Sequence, residues 1–314
     1  QSNDLIGFDN FQRIQNRKWD YLGDAASKRL ITELAIREPL VTKPHLKELE
    51  VRLSPSMNAE NNARNIQTLD RSVTSVERFG EPEKLQELKD RYYYVYHFIK
   101  EPDSALQQTS RFDLSQEYLA PYILEYRHYR KRYDIWKQAL EIIKFREWYP
   151  SSASRVRGID ACSQEIGCRP EVFAPVFRLL GCHSASEFKD GVEIPLPKLG
   201  KTYHVGEDFL DLVDGLRAIQ EAVYFLNLDC GDRLGHAIAL GIDVDNWYAG
   251  KQNRIALPVQ DLLDNLAWFC HALQHYKVPD SDLLRRELNK EFEYWFRIVY
   301  LNYMQDEDMQ VIMQ

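Results

Sequence analysis

The sequence predicts an α/β chain in which short strands and long helices alternate as βα units around a parallel sheet. Three observations carry that expectation. Apolar residues alternate with a period of two in several short runs and recur at i, i+3, i+4 and i+7 between them. Helical stretches, and not tight hairpin turns, join one run to the next. The chain has 314 residues without a Gly/Ser linker, low-complexity tract or solenoid-period repeat, which suits a single domain with helical insertions.

Taken in order, the first strand is Leu49-Glu50-Val51-Arg52-Leu53, closed by Ser54-Pro55. The second, Tyr92 to Ile99, is rich in aromatic residues that favour a pleated, half-buried surface. Arg155 to Asp160, Lys201 to Val205 and Arg233 to Ile238 supply the next three, and the alternation Met309 to Met313 reads as a sixth, cut short. Helical spacing marks Arg127 to Arg146 and Asp282 to Tyr303. The clearest case is Phe209, Leu212, Val213, Leu216, Ile219, Val223 and Leu226, with Asp208 as the expected N-cap. Pro170 stands where a helix would begin, because its fixed φ and missing N–H cost nothing in a first turn.

Composition narrows the function classes. Hydrophobic residues make up 44% and charged residues 28%, the balance of a globular chain and not of a disordered one. The formal net charge of −8 argues against phosphate-backbone binding as the main task, since that works by neutralising phosphates. No run of about 18 apolar residues spans a membrane and no signal peptide opens the chain, so the expected location is the cytoplasm. The odd count of five cysteines fits reduced thiols. The opening Gln1-Ser2-Asn3 lacks Met and reads as a vector scar, with 4–314 as one domain of an internal piece of a longer protein.

Several motifs fail on inspection. Leu199-Gly200-Lys201-Thr202 looks like the tail of a phosphate loop, but Pro195 stands where that loop needs a glycine. His271 and His275 have i, i+4 spacing without the glutamate of HExxH, and a half-buried helix face explains them. The basic run Arg127, Arg130, Lys131 and Arg132 reads as a solvated face. Tyr92-Tyr93-Tyr94 and Tyr294-Trp295-Phe296 read as core or interface.

The informative pattern lies at three successive strand ends, the position where α/β barrels keep their active sites. These ends are Gly158 to Glu165, Tyr203 to Asp208 and Asp232 to Ala237. Each is weak alone, because a histidine near a strand end is commonly structural. In this order, with a helix between each pair, they reinforce one another.

Here the chain resembles the adenosine deaminase superfamily. His204-Val205-Gly206-Glu207 is similar to its HAGE motif, Arg233-Leu234-Gly235-His236-Ala237 to RIGHG, Gly158 to Glu165 to GxDLAGDE, and Glu50 to Pro55 to the E-x-R-x-S-P strand. The resemblance runs from the helices near Phe11 to about residue 245 and leaves 250–305 as a helical insertion. The extra helices bring the chain nearer to the adenosine-deaminase-like subunits of the RADAR anti-phage defence systems, which form large assemblies. The resemblance implies a (β/α) TIM-barrel-type fold, here an incomplete barrel with its first and last strands outside the chain. It implies zinc as cofactor, with His204 as metal ligand, Glu207 as the acid that protonates the purine ring, and His236 acting on the attacking water. Ser163, Asp160 and Glu165 would face the substrate, a purine nucleoside or nucleotide or adenine in RNA, and Ser163 stands where the family has glycine.

The family takes its further metal ligands from an HxH and an Asp-Asp pair, and the chain contains neither. Catalytic zinc needs about three protein ligands, so the expectation is a metal-poor, inactive piece of a deaminase-like hydrolase that works as a homo-oligomer or larger assembly. Two alternatives stand beside it: a scaffold module, and an amidohydrolase relative with a non-purine substrate.

Overall fold

The computed structural model describes residue 17 and residues 24–43, 45–74, 87–102 and 128–300. The expected strand at Met309 to Met313, the helices near Phe11 and the stretches 1–16 and 301–303 lie outside the described residues. By contact the chain divides into two compact units. One comprises Gln1–Asp208 and Glu221–Ala237, the other Phe209–Gln220 and Ile238–Gln314. The second unit therefore takes in more than 250–305.

The first unit is a five-stranded, wholly parallel sheet covered by helices. Helix α1 (Ala25–Thr42) leads into β1 (Leu49–Leu53), and α2 (Ala59–Val73) connects β1 to β2 (Tyr92–Lys100). Asp24 and Asn58 cap α1 and α2 by accepting the N–H of Ser27 and Asn61, so the two helices start where short polar side chains satisfy free donors. Helices α3 (Tyr129–Trp148) and α4 (Pro150–Ala153) precede β3 (Val156–Ser163). A 3₁₀ turn at Pro170–Val172 and α5 (Ala174–Cys182) follow, so Pro170 does open a turn. The sheet is completed by β6 (Gly200–Val205) and β7 (Arg233–His236), in the order β1-β2-β3-β6-β7.

One expectation fails here. The joins are not all free of hairpins: β4 (Ser186–Lys189) and β5 (Val192–Pro195) pair antiparallel around Asp190-Gly191. Both turn residues have positive φ, 53° and 79°, the conformation that an Asp-Gly dipeptide supplies cheaply. That dipeptide was the signal, and it sits between two runs too short to register as strands. Helix α6 (Leu212–Phe225) also begins later than expected. Its first backbone bond runs from Gly215 N–H to Asp211 C=O, so Asp211 holds the N-cap position and Asp208 does not.

Alternation along β2 explains the core. Tyr92, Tyr94, Tyr96 and Phe98 are buried against the helices, Tyr96 on Phe145 and Phe98 on Phe177, while Tyr203 of β6 meets Phe173 and Phe177. By register the opposite face carries Glu50 and Arg52 of β1, Tyr93 and His97 of β2, Asp160 and Cys162 of β3, Thr202 and His204 of β6, and Arg233 of β7. This second face is curled inward. In a flat sheet β1 and β7 would stand roughly 19 Å apart, farther than an Arg and a Glu side chain reach together. Yet Arg233 of β7 lies 2.5 Å from Glu50 of β1.

The second unit is helical. It holds the start of α6, a 3₁₀ turn at Ile238–Gly241, α7 (Val244–Gly250), α8 (Val259–His275) and α9 (Asp282–Tyr300). Arg217 is buried and held by Asn265 (2.8 Å), Asp214 (3.2 Å) and Asp264 (3.6 Å). Gly215 admits Phe209 and Ala239, which would stand 2.8–2.9 Å from a Cβ added there. Among the described residues no helix is long and apolar enough to cross a membrane.

Asp70 ties the helices to the sheet of the first unit. Its carboxylate accepts the hydroxyls of Tyr92 (2.8 Å) and Tyr94 (2.7 Å) and Nε of Arg155 (3.1 Å). Removing it strands a guanidinium and two buried hydroxyls. Asp70→Ala is expected to cost about 3–5 kcal/mol in urea unfolding, whereas Glu60→Ala, which breaks an exposed pair with Arg64, costs under about 1 kcal/mol.

Candidate functional site

The carboxyl ends of the five parallel strands bring together most of the residues that the sequence singles out. His204, near the end of β6, is buried. Its Nδ1 lies 3.0 Å from Asp160 Oδ1 on β3, and its Nε2 lies 3.3 Å from a terminal guanidinium nitrogen of Arg52 on β1. A guanidinium only donates, so the hydrogen-bond network assigns Nε2 as acceptor and places the ring proton on Nδ1, facing Asp160. Asp160 is fully buried, and its second oxygen is 3.1 Å from Arg52. Arg52 also gives Nε to Glu50 at 3.2 Å.

A second cluster forms just beyond the strand ends. Gly206 turns the chain at φ 76°, and the buried Glu165 carboxylate accepts the N–H groups of Gly206 (2.8 Å) and Glu207 (3.3 Å). This bend directs the Glu207 side chain inward, where its Oε2 meets His236 Nε2 at 2.9 Å and its Oε1 is buried with no hydrogen-bond partner. His236 and Ala237 leave β7 with φ of 58° and 49°, left-handed values that turn the imidazole back toward Glu207. Ser163 also has positive φ, 90°. Strained backbone thus surrounds the cluster at three non-glycine positions.

Burial, reinforced by the charges of Glu165 and Asp208, lifts the Glu207 carboxyl to about 7, while His204 and Lys100 pull the other way. Lys100 ends β2 fully enclosed, its ammonium donating to the His204 carbonyl and lying 4.2 Å from the Tyr203 ring centre. Its desolvation holds the amine below the usual lysine value. Cys162 contacts His97. Burial raises the thiol to about 12 and lowers the imidazole, so the pair is held uncharged.

The six predicted site residues fall into two groups in contact along the same segment. His204 and Asp160 pair inside the curled face, Glu207 pairs with His236 at its rim, Glu165 supports the bend that carries Glu207, and Ser163 ends the strand that carries Asp160. Arg52, Glu50, His97 and Lys100 are the residues that the sequence reading did not place in the site. Their signal was present: Glu50 and Arg52 are two apart on one strand, which puts both on one face. His97 and Lys100 were hidden in an aromatic run.

The donor set does not fit a metal. Both nitrogens of His204 and Oδ1 of Asp160 are taken by other groups, Asp160 Oδ2 has Arg52 at 3.1 Å as an ion pair but no hydrogen-bond partner, and His97 is engaged by Cys162. Among the described residues no three His, Cys, Asp or Glu side chains are arranged to hold an ion. His271 and His275 stack on one another, 5.6 Å between ring centres. Lys131 and Arg132 are not simply solvated, since they hold Glu101 and the Glu171 carbonyl. Lys201 holds Asp232 and the Asn227 carbonyl, away from any phosphate role. A scan against protein-family models and a search of the curated proteins both find no match for this chain.

Two outcomes follow from the geometry. A Cβ added at Gly235 would lie 2.7 Å from the His204 ring. Gly235→Ala is therefore expected to displace that ring, erase the Asp160-bonded Nδ1 proton signal in imidazole NMR and cost about 1–3 kcal/mol. Glu207 has a folded pKa above its ordinary value, so its contribution to stability is full below about pH 4.5 and is lost as pH rises through about 7. Glu207→Gln should then be less sensitive than wild type to a rise from pH 4 to 8 in denaturant unfolding, and an unchanged pH profile contradicts the shifted carboxyl.

Proposed function

We propose that the chain carries the acid–base half of a deaminase-like hydrolase acting on an adenine-type ring, on a sheet that forms part of a (β/α) barrel. The observation that carries this reading is the Glu207–His236 pair at the carboxyl ends of parallel strands, beside a buried histidine. The four motif segments that suggested the superfamily come from four different strands, and they converge on one curled face. The positive φ at Ser163, where the family has glycine, is further support.

In this reading Glu207 is the general acid. In its neutral form the carboxyl passes its proton to a ring nitrogen of the ligand from Oε1, the oxygen that does not face His236. A carboxyl poised near pH 7 is half protonated at that pH, which suits a group that must both give and regain a proton. His236 holds the carboxyl in orientation. The overall change adds water to the amino-bearing carbon and releases ammonia. No described side chain is assigned the activation of that water, and the metal-ligand role expected of His204 is not supported by its partners. The chain by itself is accordingly expected to bind without turning over. A role in assembly is compatible with this, since Leu283, Leu284, Tyr294 and Ile298 of α9 are exposed.

The test is an NMR titration of the chain with adenosine, beside an ammonia assay with the same nucleoside. The expected result is selective shifts at His204, Glu207 and His236, lost in Glu207→Gln, with no ammonia released. A nucleoside that leaves those three signals unmoved overturns the purine reading.

A further inference from the structure

We infer that Arg52 is the resident cation of this site: its guanidinium occupies the approach to His204 and Asp160 that a metal ion would need, and so keeps metal out. The inference stands whichever reaction the pocket serves, because it rests on the contacts of Arg52 and not on the ligand.

A divalent ion bound here would take the lone pair of His204 Nε2 and an oxygen of the neighbouring carboxylate. Both positions face Arg52, at 3.3 Å and 3.1 Å. Guanidinium is planar, keeps its charge at all working pH values and offers five N–H donors in a fixed fork. Three nitrogens of that fork are committed: Nε donates to Glu50, one terminal nitrogen lies 3.3 Å from His204 Nε2, and the other forms an ion pair with Asp160 Oδ2 at 3.1 Å without hydrogen-bond geometry. A lysine at this position would be a point charge on a flexible stem and could not span three acceptors in one plane.

The surroundings reinforce the choice. Asp160 is fully buried, and an unpaired carboxylate there would be costly. Arg52 supplies the compensating charge, so the pocket meets its electrostatic requirement without an ion. Glu50 is shared with Arg233 of β7, which fixes the far side of the guanidinium's own anchor. The neighbouring donors are also occupied, His97 being paired with Cys162. Zinc entering this site would have to expel Arg52 from three partners and leave its charge within a half-enclosed trough.

The decisive experiment follows the His204 imidazole nitrogens by ¹⁵N-labelled NMR while zinc is added to the chain after chelator treatment. Metal retained on the chain is measured in parallel by elemental analysis. For wild type the expected result is an Nδ1–H tautomer with Nε2 as acceptor, unmoved by zinc, and only background metal at His204. For Arg52→Met the expected result is a zinc-dependent shift at His204 and at least a tenfold gain in zinc affinity, abolished by adding His204→Ala. Should Arg52→Met not fold, the wild-type tautomer and its response to zinc decide alone. Stoichiometric zinc on wild type that is lost in His204→Ala overturns the inference. So does an Arg52→Met chain that is folded and as indifferent to zinc as wild type.

Discussion

The structure of the first unit turns on how a row of polar side chains is sheltered on the inner face of a parallel sheet. Asp160 sits wholly out of water on the middle strand, and a bare carboxylate in that position would be untenable. It is held by Arg52 from two strands away on one side and by His204 from the next strand on the other. Both reach it across one or two strand spacings, about 5 and 10 Å. The contact that requires curling is the one between Glu50 and Arg233, which come from the two edge strands. Curvature and charge pairing are thus linked at the edges: flattening the sheet would part Arg233 from Glu50, while Arg52 would keep Glu50 on its own strand.

The Glu207–His236 pair at the rim depends on that frame. Glu207 is aimed by a turn whose N–H groups are taken by Glu165, and His236 is aimed by two residues in left-handed conformation. The ring of His204 packs against Gly235, one residue before His236, so the inner layer and the rim are in direct contact. Glu165 therefore acts twice. It fixes the backbone that carries Glu207, and its own charge joins burial in keeping the Glu207 proton on. This combination leaves one carboxyl oxygen buried without a hydrogen-bond partner while the other faces His236.

Much of this was legible in the residues. The four strands at Leu49, Tyr92, Lys201 and Arg233 could be read from alternation, and the third at Arg155 was found one residue early and short at its far end. The site residues could be read because they sit at strand ends in a repeated order. What escaped reading has physical causes. The hairpin at Asp190-Gly191 joins strands of four residues, too short for a period to show. Asp208 looked like a cap because it precedes an apolar repeat, yet the turn at Gly206 spends three more residues before the helix starts. Arg52 was visible only as a letter in a strand motif, since its role depends on residues 108 and 152 positions away being folded over it. Spacing along a chain gives neighbours on one strand or helix; it says nothing about which edge a curled sheet brings back.

The central claim is that the two edge strands face one another closely enough for their side chains to touch. A direct measurement is the nuclear Overhauser effect between the side-chain methylene protons of Glu50 and the guanidinium-bearing end of Arg233 in selectively labelled protein. A clear cross-peak is expected. Absence of that cross-peak in a folded sample with both side chains assigned would mean the sheet is open, and the convergence of its strand ends would fall with it.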